Sequence, residues 1–302
     1  VAGWENGFSE KQCRKIALAA VEAYAQVMDR LARAKTLDVW YFHVDARLVL
    51  KAFEHGSHKG LKQVEKMFHK AERKTQEWSL EKLTYLEEDR RQIKSEPPLL
   101  VPLDELLTGA ERDALTKEQV LAMWEDYLSS LTDDKKHLLR RFRIADAALR
   151  VGGVGSVGTR CWIMLMAGGA DDDAIILQLK EAGASVLEQY LMSPVYESPA
   201  QRVVEGQKLM QASSDIFLGW HQSSRSGRPY YWRQLKDMKG SMDVTLLGSQ
   251  DFSTYVEVCA ACLARAHGRS GDAASIAGYV GKGGPLTAAM ADFGFAYADQ
   301  TL

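Results

Sequence analysis

The sequence predicts an α+β protein in which two helical segments flank a β-rich one, and three observations support this prediction. Apolar residues recur at helical spacing through much of residues 1–148. Short apolar runs, separated by turns rich in glycine and aspartate, follow residue 150. Helical spacing returns after Asp251. We therefore predict a helical region over 1–148, a β-rich region with one helix over 149–237, and a helical segment over 238–302.

Composition and charge limit the functional class. Charged residues make up 26% of the 302 residues and hydrophobic residues 46%, which is typical of a soluble globular protein. The net charge of −2 argues against a protein that coats nucleic acid. No apolar stretch approaches the roughly 20 residues that cross a bilayer, and no secretory signal opens the chain. We expect a cytoplasmic protein with no nucleic-acid and no membrane partner, and the initial Val1 predicts a fragment or a processed product.

The first region divides into helices and connectors. A capping box at Ser9 predicts a helix that continues to Leu31. The β-branched and aromatic residues of 37–44 predict a short strand or a buried connector, and the charged residues of 45–94 predict helices. The prolines of 97–102 predict an extended connector, because proline lacks the amide donor of a helix interior. A further helix is expected over 116–130, and residues 138–149 lead into a glycine-rich stretch.

The second region has the shorter elements. Strands are expected at 159–166, 174–180, 216–220 and 230–235, with a polar loop at 221–228. A helix is expected at 200–212, and another from Asp251 through His267.

The glycine-rich stretch is the main candidate site. Gly153, Gly155 and Gly158 form the pattern GxGxxG, which two unrelated folds use to hold phosphates. In a dinucleotide-binding fold the glycines open a helix, whereas in a kinase-type hairpin they join two strands and a lysine on the next strand reaches the phosphates. The segment after Gly158 is apolar without helical spacing, and the next apolar run ends in Lys180. The kinase-type hairpin is therefore favoured over a dinucleotide site and over a hairpin without a ligand.

This hypothesis assigns cofactor-binding roles to six residues. Amides of the loop would contact the phosphates, and Lys180 would neutralise them. A carboxylate from the following helix would orient the lysine; Glu205 is the first choice, with Glu188 and Glu181 as alternatives. The six residues are Gly153, Gly155, Ser156, Gly158, Lys180 and Glu205.

Three other motifs have simpler explanations. Cys259 and Cys262 form a CxxC inside a helical pattern without a second pair, which favours buried helical thiols over a metal or redox site. Residues 292–294 spell DFG, the kinase metal motif, but lie in a helix-like run with no catalytic loop before them. Residues 267–272 predict a helix end with a left-handed glycine, while a position of His267 and Asp272 beside a cleft stays open.

Long blocks, among them VGGVGSVGTRCW, RVVEGQKLMQASSDIFLGW and LARAHGRSGDAASIAGYVGK, resemble a bacterial family catalogued as domain of unknown function 2252. Members of that family carry two upstream blocks, G-D-x-H-x-x-N-F and F-D-x-N-D-F-D, which resemble a kinase-like catalytic loop and metal-binding aspartates. The resemblance therefore implies a two-lobed protein-kinase-like fold in circularly permuted order, with a small antiparallel β lobe and a mainly helical lobe. On this view the segment 238–302 returns to the helical lobe.

This chain has neither upstream block, and its only asparagine is Asn6. We expect a nucleotide-binding protein that is an ATP- and Mg²⁺-dependent phosphotransferase only in its complete form, acting on an unidentified small molecule or protein. A non-catalytic nucleotide-binding or regulatory module and a dinucleotide-dependent oxidoreductase are the alternatives.

Overall fold

A computed structural model of the protein describes residues 1–73, 76–88, 90–106, 117–152, 158–170, 173–191, 195–224, 226–235, 240–282 and 284–301. Over these residues the chain is a mixed α+β protein with antiparallel sheets, as the sequence predicts. No described helix is both long and apolar enough to cross a lipid bilayer.

The described α-helices are α1 (Ala2–Glu5), α2 (Glu10–Arg33), α3 (Thr36–Tyr41), α4 (Ala46–Glu54), α5 (His58–Glu72), α6 (Gln76–Leu83), α7 (Leu103–Leu106), α8 (Lys117–Ser129), α9 (Asp133–Leu139), α10 (Pro199–Met210), α11 (Ser249–Ser270), α12 (Ala273–Val280) and α13 (Gly284–Thr301). The described strands are β1 (Thr84–Glu87), β2 (Arg90–Ile93), β3 (Leu100–Pro102), β4 (Arg143–Arg150), β5 (Cys161–Ala167), β6 (Ala174–Glu181), β7 (Gly219–Gln222) and β8 (Pro229–Gln234).

These elements form two compact units. The helical unit comprises residues 1–72, 209–212 and 240–302, and the sheet unit comprises 73–208 and 213–239. The sheet unit thus begins well before the predicted boundary at residue 149, because β1 to β4 precede that position. The other predicted boundary, at residue 237, lies outside the described residues.

The helical unit is organised around α2, which contacts α11, α12 and α13. Its first turn has the predicted capping box: the Ser9 side chain accepts from the Gln12 amide, and the Gln12 side chain accepts from the Ser9 amide. Met28 and Leu31 on α2 and Ala264 on α11 are buried, so this contact forms the apolar interior of the unit.

A six-stranded antiparallel sheet, in the order β3-β4-β5-β6-β8-β7, forms the second unit. Because side chains alternate along a strand, each strand contributes to two faces. On the α8 face, Met164 and Leu177 pack against Trp124, Tyr127 and Leu128 of α8. On the α6 face, residues including Ile163, Leu165 and Ile176 pack with Leu80 and Leu83 of α6.

Strands β5, β6 and β8, helix α10 and helix α8 confirm the sequence predictions to within a few residues. The predicted strand at 216–220 lies instead at Gly219–Gln222, so it takes in two residues of the predicted polar loop.

Three predictions for the first region are wrong. Residues 37–44 contain helix α3, whose turns close through bonds such as Phe42 N–H to Asp38 O at 2.9 Å. Strands β1 and β2 pair with each other where the sequence indicated helix, and residues 143–150 form a strand where the sequence indicated none. All three errors have the same physical reason. Whether a segment forms a strand depends on packing against a neighbouring strand, and the residues of the segment alone do not reveal whether such a neighbour is present.

Candidate functional site

The predicted glycine loop connects β4 to β5. Gly153, Gly155 and Ser156 lie outside the described residues, whereas Gly158 is described and has φ +85°, a conformation that favours glycine. A strand, β5, follows Gly158, and no helix opens there. This arrangement is the one that the hairpin hypothesis requires.

Lys180 lies near the end of β6 and is half-buried. The ladder places it beside Cys161 of β5 and Tyr231 of β8. Since Gln178 and Ile176 precede it at spacings of two, its side chain belongs to the α6 face.

None of the three proposed carboxylates pairs with Lys180. Glu205 accepts from Lys208 at 3.3 Å, one turn away on α10. Glu188 lies 3.6 Å from Arg202, and Glu181 lies 2.6 Å from Arg228. Over the described residues the predicted Lys180–Glu205 contact is therefore not formed.

Two arginines that the sequence did not single out accompany Lys180. Burial raises the pKa of the Cys161 thiol, and the positive charge of Lys180 is the largest opposing influence. The charges of Arg150 and Arg233 act on the same thiol in the same direction. These three cations define the cation cluster of the α6 face.

Hydrogen bonds hold part of this cluster in place. Arg233 donates from Nε and Nη2 to Gln178 Oε1 at 3.0 and 2.9 Å. The other end of the Gln178 amide donates to Cys161 Sγ at 3.2 Å. Where the chain is described, no carboxylate forms an ion pair with Arg150, Lys180 or Arg233. The cluster can therefore accept a negatively charged group.

A cavity of about 410 Å³ lies on the opposite, α8 face of the same sheet. Its floor includes Trp162, Met164 and Leu179 from neighbouring strands, and its walls include residues of α7 and α8. His221, Ser223 and Ser224 complete it at the β7 end. Sequence reasoning missed this cavity because helix and sheet residues about 100 positions apart along the chain form it.

His221 contributes an imidazole ring to this cavity. It is 2% exposed, stacks on Tyr230 with a centroid distance of 5.4 Å, and accepts from Trp232 Nε1 through Nδ1 at 2.7 Å. Burial lowers the pKa of His221 from 6.5 to about 4. Because an indole N–H only donates, the neutral ring carries its proton on Nε2.

The low pKa of His221 predicts an acid-sensitive fold. Below pH 6.5 the unfolded chain binds a proton that the folded protein excludes down to about pH 4, so stability falls across this window. The full loss is about 3 kcal/mol, from the size of the pKa shift. Urea unfolding between pH 4 and 8 should show a decline in the wild-type protein that is much smaller in His221→Phe.

The control is His43→Phe, which changes an exposed histidine. We expect this variant to keep the wild-type pH dependence. Identical pH profiles for wild type and His221→Phe would contradict the assignment.

The remaining motifs have structural explanations. Asp292 of the DFG sequence lies inside α13 and pairs with Arg14 at 2.7 Å, consistent with the predicted helix. Asp272 caps α12 by accepting from the Ala274 amide at 3.0 Å, and His267 Nδ1 lies 2.8 Å from the Tyr24 hydroxyl. Gly271 ends α11 with φ −131°, so the expected left-handed glycine is wrong.

Cys259 and Cys262 lie on α11 as expected, but both are exposed, which corrects the prediction of burial. Other side chains of α11, such as Phe252 and Ala264, turn inward. Over the described residues no group of three or more metal-ligating side chains is found.

Fold and site together define an α+β protein with an antiparallel sheet. One face of the sheet carries three cations that form no ion pair with the described carboxylates, and the other face carries an aromatic cavity. The family model described as an uncharacterized protein conserved in bacteria (DUF2252) matches residues 1–302, and the chain belongs to this family. No curated protein and no solved structure matches the chain.

Proposed function

We propose that the sheet unit binds the phosphates of a nucleotide at the cation cluster, and that the protein in its complete form is a kinase-like, ATP-dependent phosphotransferase. The observation that carries this proposal is the set of three half-buried cations, Arg150, Lys180 and Arg233, which have no carboxylate partner in the described parts of the chain. The phosphate acceptor of the complete protein would be an unidentified small molecule or protein.

The order of the parts supports the kinase-like assignment. Strand β4, a glycine-rich connection, strand β5, a third strand carrying Lys180 and then helix α10 follow one another along the chain. A kinase nucleotide site uses the same order: a glycine loop between two strands, a lysine on the next strand and a glutamate on the following helix. A dinucleotide-dependent oxidoreductase needs a helix after Gly158, where this chain has β5.

Charge supports the same proposal. Removing a cation from water costs free energy unless an opposite charge compensates. The glutamates that could compensate Lys180 are engaged by Lys208, Arg202 and Arg228. A triphosphate supplies the missing negative charge, and positioning with charge stabilisation accounts for most of phosphoryl transfer.

The non-catalytic alternative also has an observation in its favour. A kinase catalytic loop needs a metal-binding asparagine, and the chain has only Asn6, whose side-chain amide donates to the Val244 carbonyl at 2.7 Å. The residues of this chain would then bind the nucleotide and neutralise its phosphates. Any Mg²⁺ would arrive on the nucleotide, where it would offset phosphate charge.

Mg·ATP should raise the melting temperature of the protein, and Lys180→Met should abolish the rise. At a nucleotide concentration 100 times the Kd the stabilisation is about 2.7 kcal/mol, which thermal denaturation resolves easily. The matched control is Lys135→Met, which removes a lysine that forms an ion pair with Asp134 in the same unit. This variant should keep the full rise in melting temperature.

If Mg·ATP raised the melting temperature of Lys180→Met as much as that of the wild type, the result would argue against the assigned site. If Mg·ATP did not raise the melting temperature of the wild-type protein, the result would argue against nucleotide binding. Production of ADP in the presence of candidate acceptors then separates a transferase from a binding module.

A further inference from the structure

We propose that the cavity on the α8 face is a second binding site, specific for an uncharged aromatic molecule that carries a hydrogen-bond acceptor. Its volume of about 410 Å³ lies within the range of about 300–1,000 Å³ that small-molecule sites occupy. The inference is independent of the proposed nucleotide site, because the two lie on opposite faces of the sheet.

The lining favours a flat aromatic ligand. Trp162, Tyr230 and His221 present three aromatic rings, and Met123 and Met164 add thioethers. Aromatic rings pair favourably with one another, and sulfur contacts ring edges favourably. Aliphatic groups such as Leu179 complete a surface that water hydrates poorly.

His221 supplies the specificity for an acceptor. Its Nδ1 is occupied by the Trp232 N–H, which leaves the Nε2 proton to donate. Over the described residues no side chain or carbonyl accepts from Nε2. Because the pKa of the ring is about 4, the donor stays uncharged at neutral pH and suits a carbonyl oxygen better than an anion.

The lining offers nothing that compensates an anion, because its described residues include no lysine or arginine. Asp146 contributes to the lining, but its carboxylate accepts from the Ile93 and Ala147 amides at 2.8 and 2.7 Å and is directed to the α6 face, where Ile93 is buried. Asp104 adds a negative charge at an exposed position of the lining. A nucleotide or another anion is therefore disfavoured here.

Three probes of equal ring size separate these requirements: 1-indanone, indane and indane-1-carboxylate. Calorimetric titration should show saturable binding of 1-indanone, about five- to tenfold weaker binding of indane for the lost hydrogen bond, and no binding of the carboxylate. With ¹⁵N-labelled histidine, 1-indanone should shift the Nε2 resonance of His221, whereas indane should not.

Ala147→Leu is the test variant, because Ala147 lines the cavity and a leucine fills it. It should weaken 1-indanone binding more than tenfold, while Ala184→Leu, at an exposed position of the same unit, should leave binding unchanged. If Ala147→Leu does not fold, as judged by circular dichroism, Met123→Trp fills the cavity from α8.

Three outcomes would overturn the proposal. They are no saturable binding of 1-indanone, equal binding by folded wild-type and filled variants, and equal affinity for 1-indanone and indane without a shift at His221.

Discussion

Trp232→Ala is expected to lower the free energy of unfolding of the sheet unit by about 3–5 kcal/mol, the usual cost of removing a buried aromatic side chain. Trp232 is completely buried. Its ring stacks on Tyr127 at a centroid distance of 4.2 Å and meets Trp124 edge-on at 5.9 Å. Since a domain is stable by only about 5–15 kcal/mol, this single change should bring the unit close to unfolding.

Two companion variants separate packing from hydrogen bonding. Trp232→Phe keeps most of the stacked area but leaves His221 Nδ1 without its donor, so we expect a smaller loss of about 1–3 kcal/mol. Trp40→Ala removes an indole that is 44% exposed and should cost about 1 kcal/mol or less, from its contact with Arg269. Urea unfolding followed by circular dichroism measures all three, and equal losses in Trp232→Ala and Trp40→Ala would contradict the role of the aromatic stack.

Gly60→Ala is expected to destabilise the helical unit by about 2–4 kcal/mol, although alanine normally favours a helix over glycine. A Cβ atom on Gly60 would lie 2.4–2.6 Å from the carboxyl group of Asp251. That carboxylate is 4% exposed and accepts from the Ser57 amide at 2.9 Å and from the Ser57 hydroxyl at 2.5 Å. The added methyl group must therefore displace a buried, hydrogen-bonded charge at the start of α5.

A double-mutant cycle tests this explanation directly. With Asp251→Ala in place the clash is gone, so Gly60→Ala should become neutral or stabilising by about 0.5–1 kcal/mol. Gly278→Ala is the matched control, since its added Cβ would lie more than 4 Å from any described atom outside the adjoining residues and backbone of its own helix. It should be neutral or stabilising in the wild-type background. Equal costs for Gly60→Ala with and without Asp251 would exclude the proposed clash.

Local sequence was sufficient to predict those elements whose own residues form a clear apolar pattern. Strands β5 and β6 are long apolar runs bounded by glycine and aspartate, and both were predicted. Strand β4 was missed because Arg143, Asp146 and Arg150 interrupt its apolar pattern and a bulge at Ala145 shifts its alternation. Residues 37–44 show the opposite error, a strand predicted where a helix forms. Trp40 and Tyr41 have high strand propensity, yet both are exposed on a helix.

The candidate site likewise has one residue that local sequence predicted and others that it did not. Lys180 was predicted from the order of glycines, strands and lysine along the chain. Arg150 and Arg233 were not, because only the register of the sheet brings them near Cys161. The α8-face cavity likewise depends on how α7 and α8 meet the strands, which no local spacing encodes.

The alternation of side chains along β6 has a consequence for how this family tolerates changes in length. Leu179 forms part of the cavity, and its neighbour Lys180 belongs to the opposite face. An insertion or deletion of one residue within β6 would exchange these two environments. It would place the lysine ammonium group in the apolar cavity and the leucine side chain beside the arginines. Length variation among relatives should therefore avoid β6 and accumulate in exposed connections such as residues 183–191.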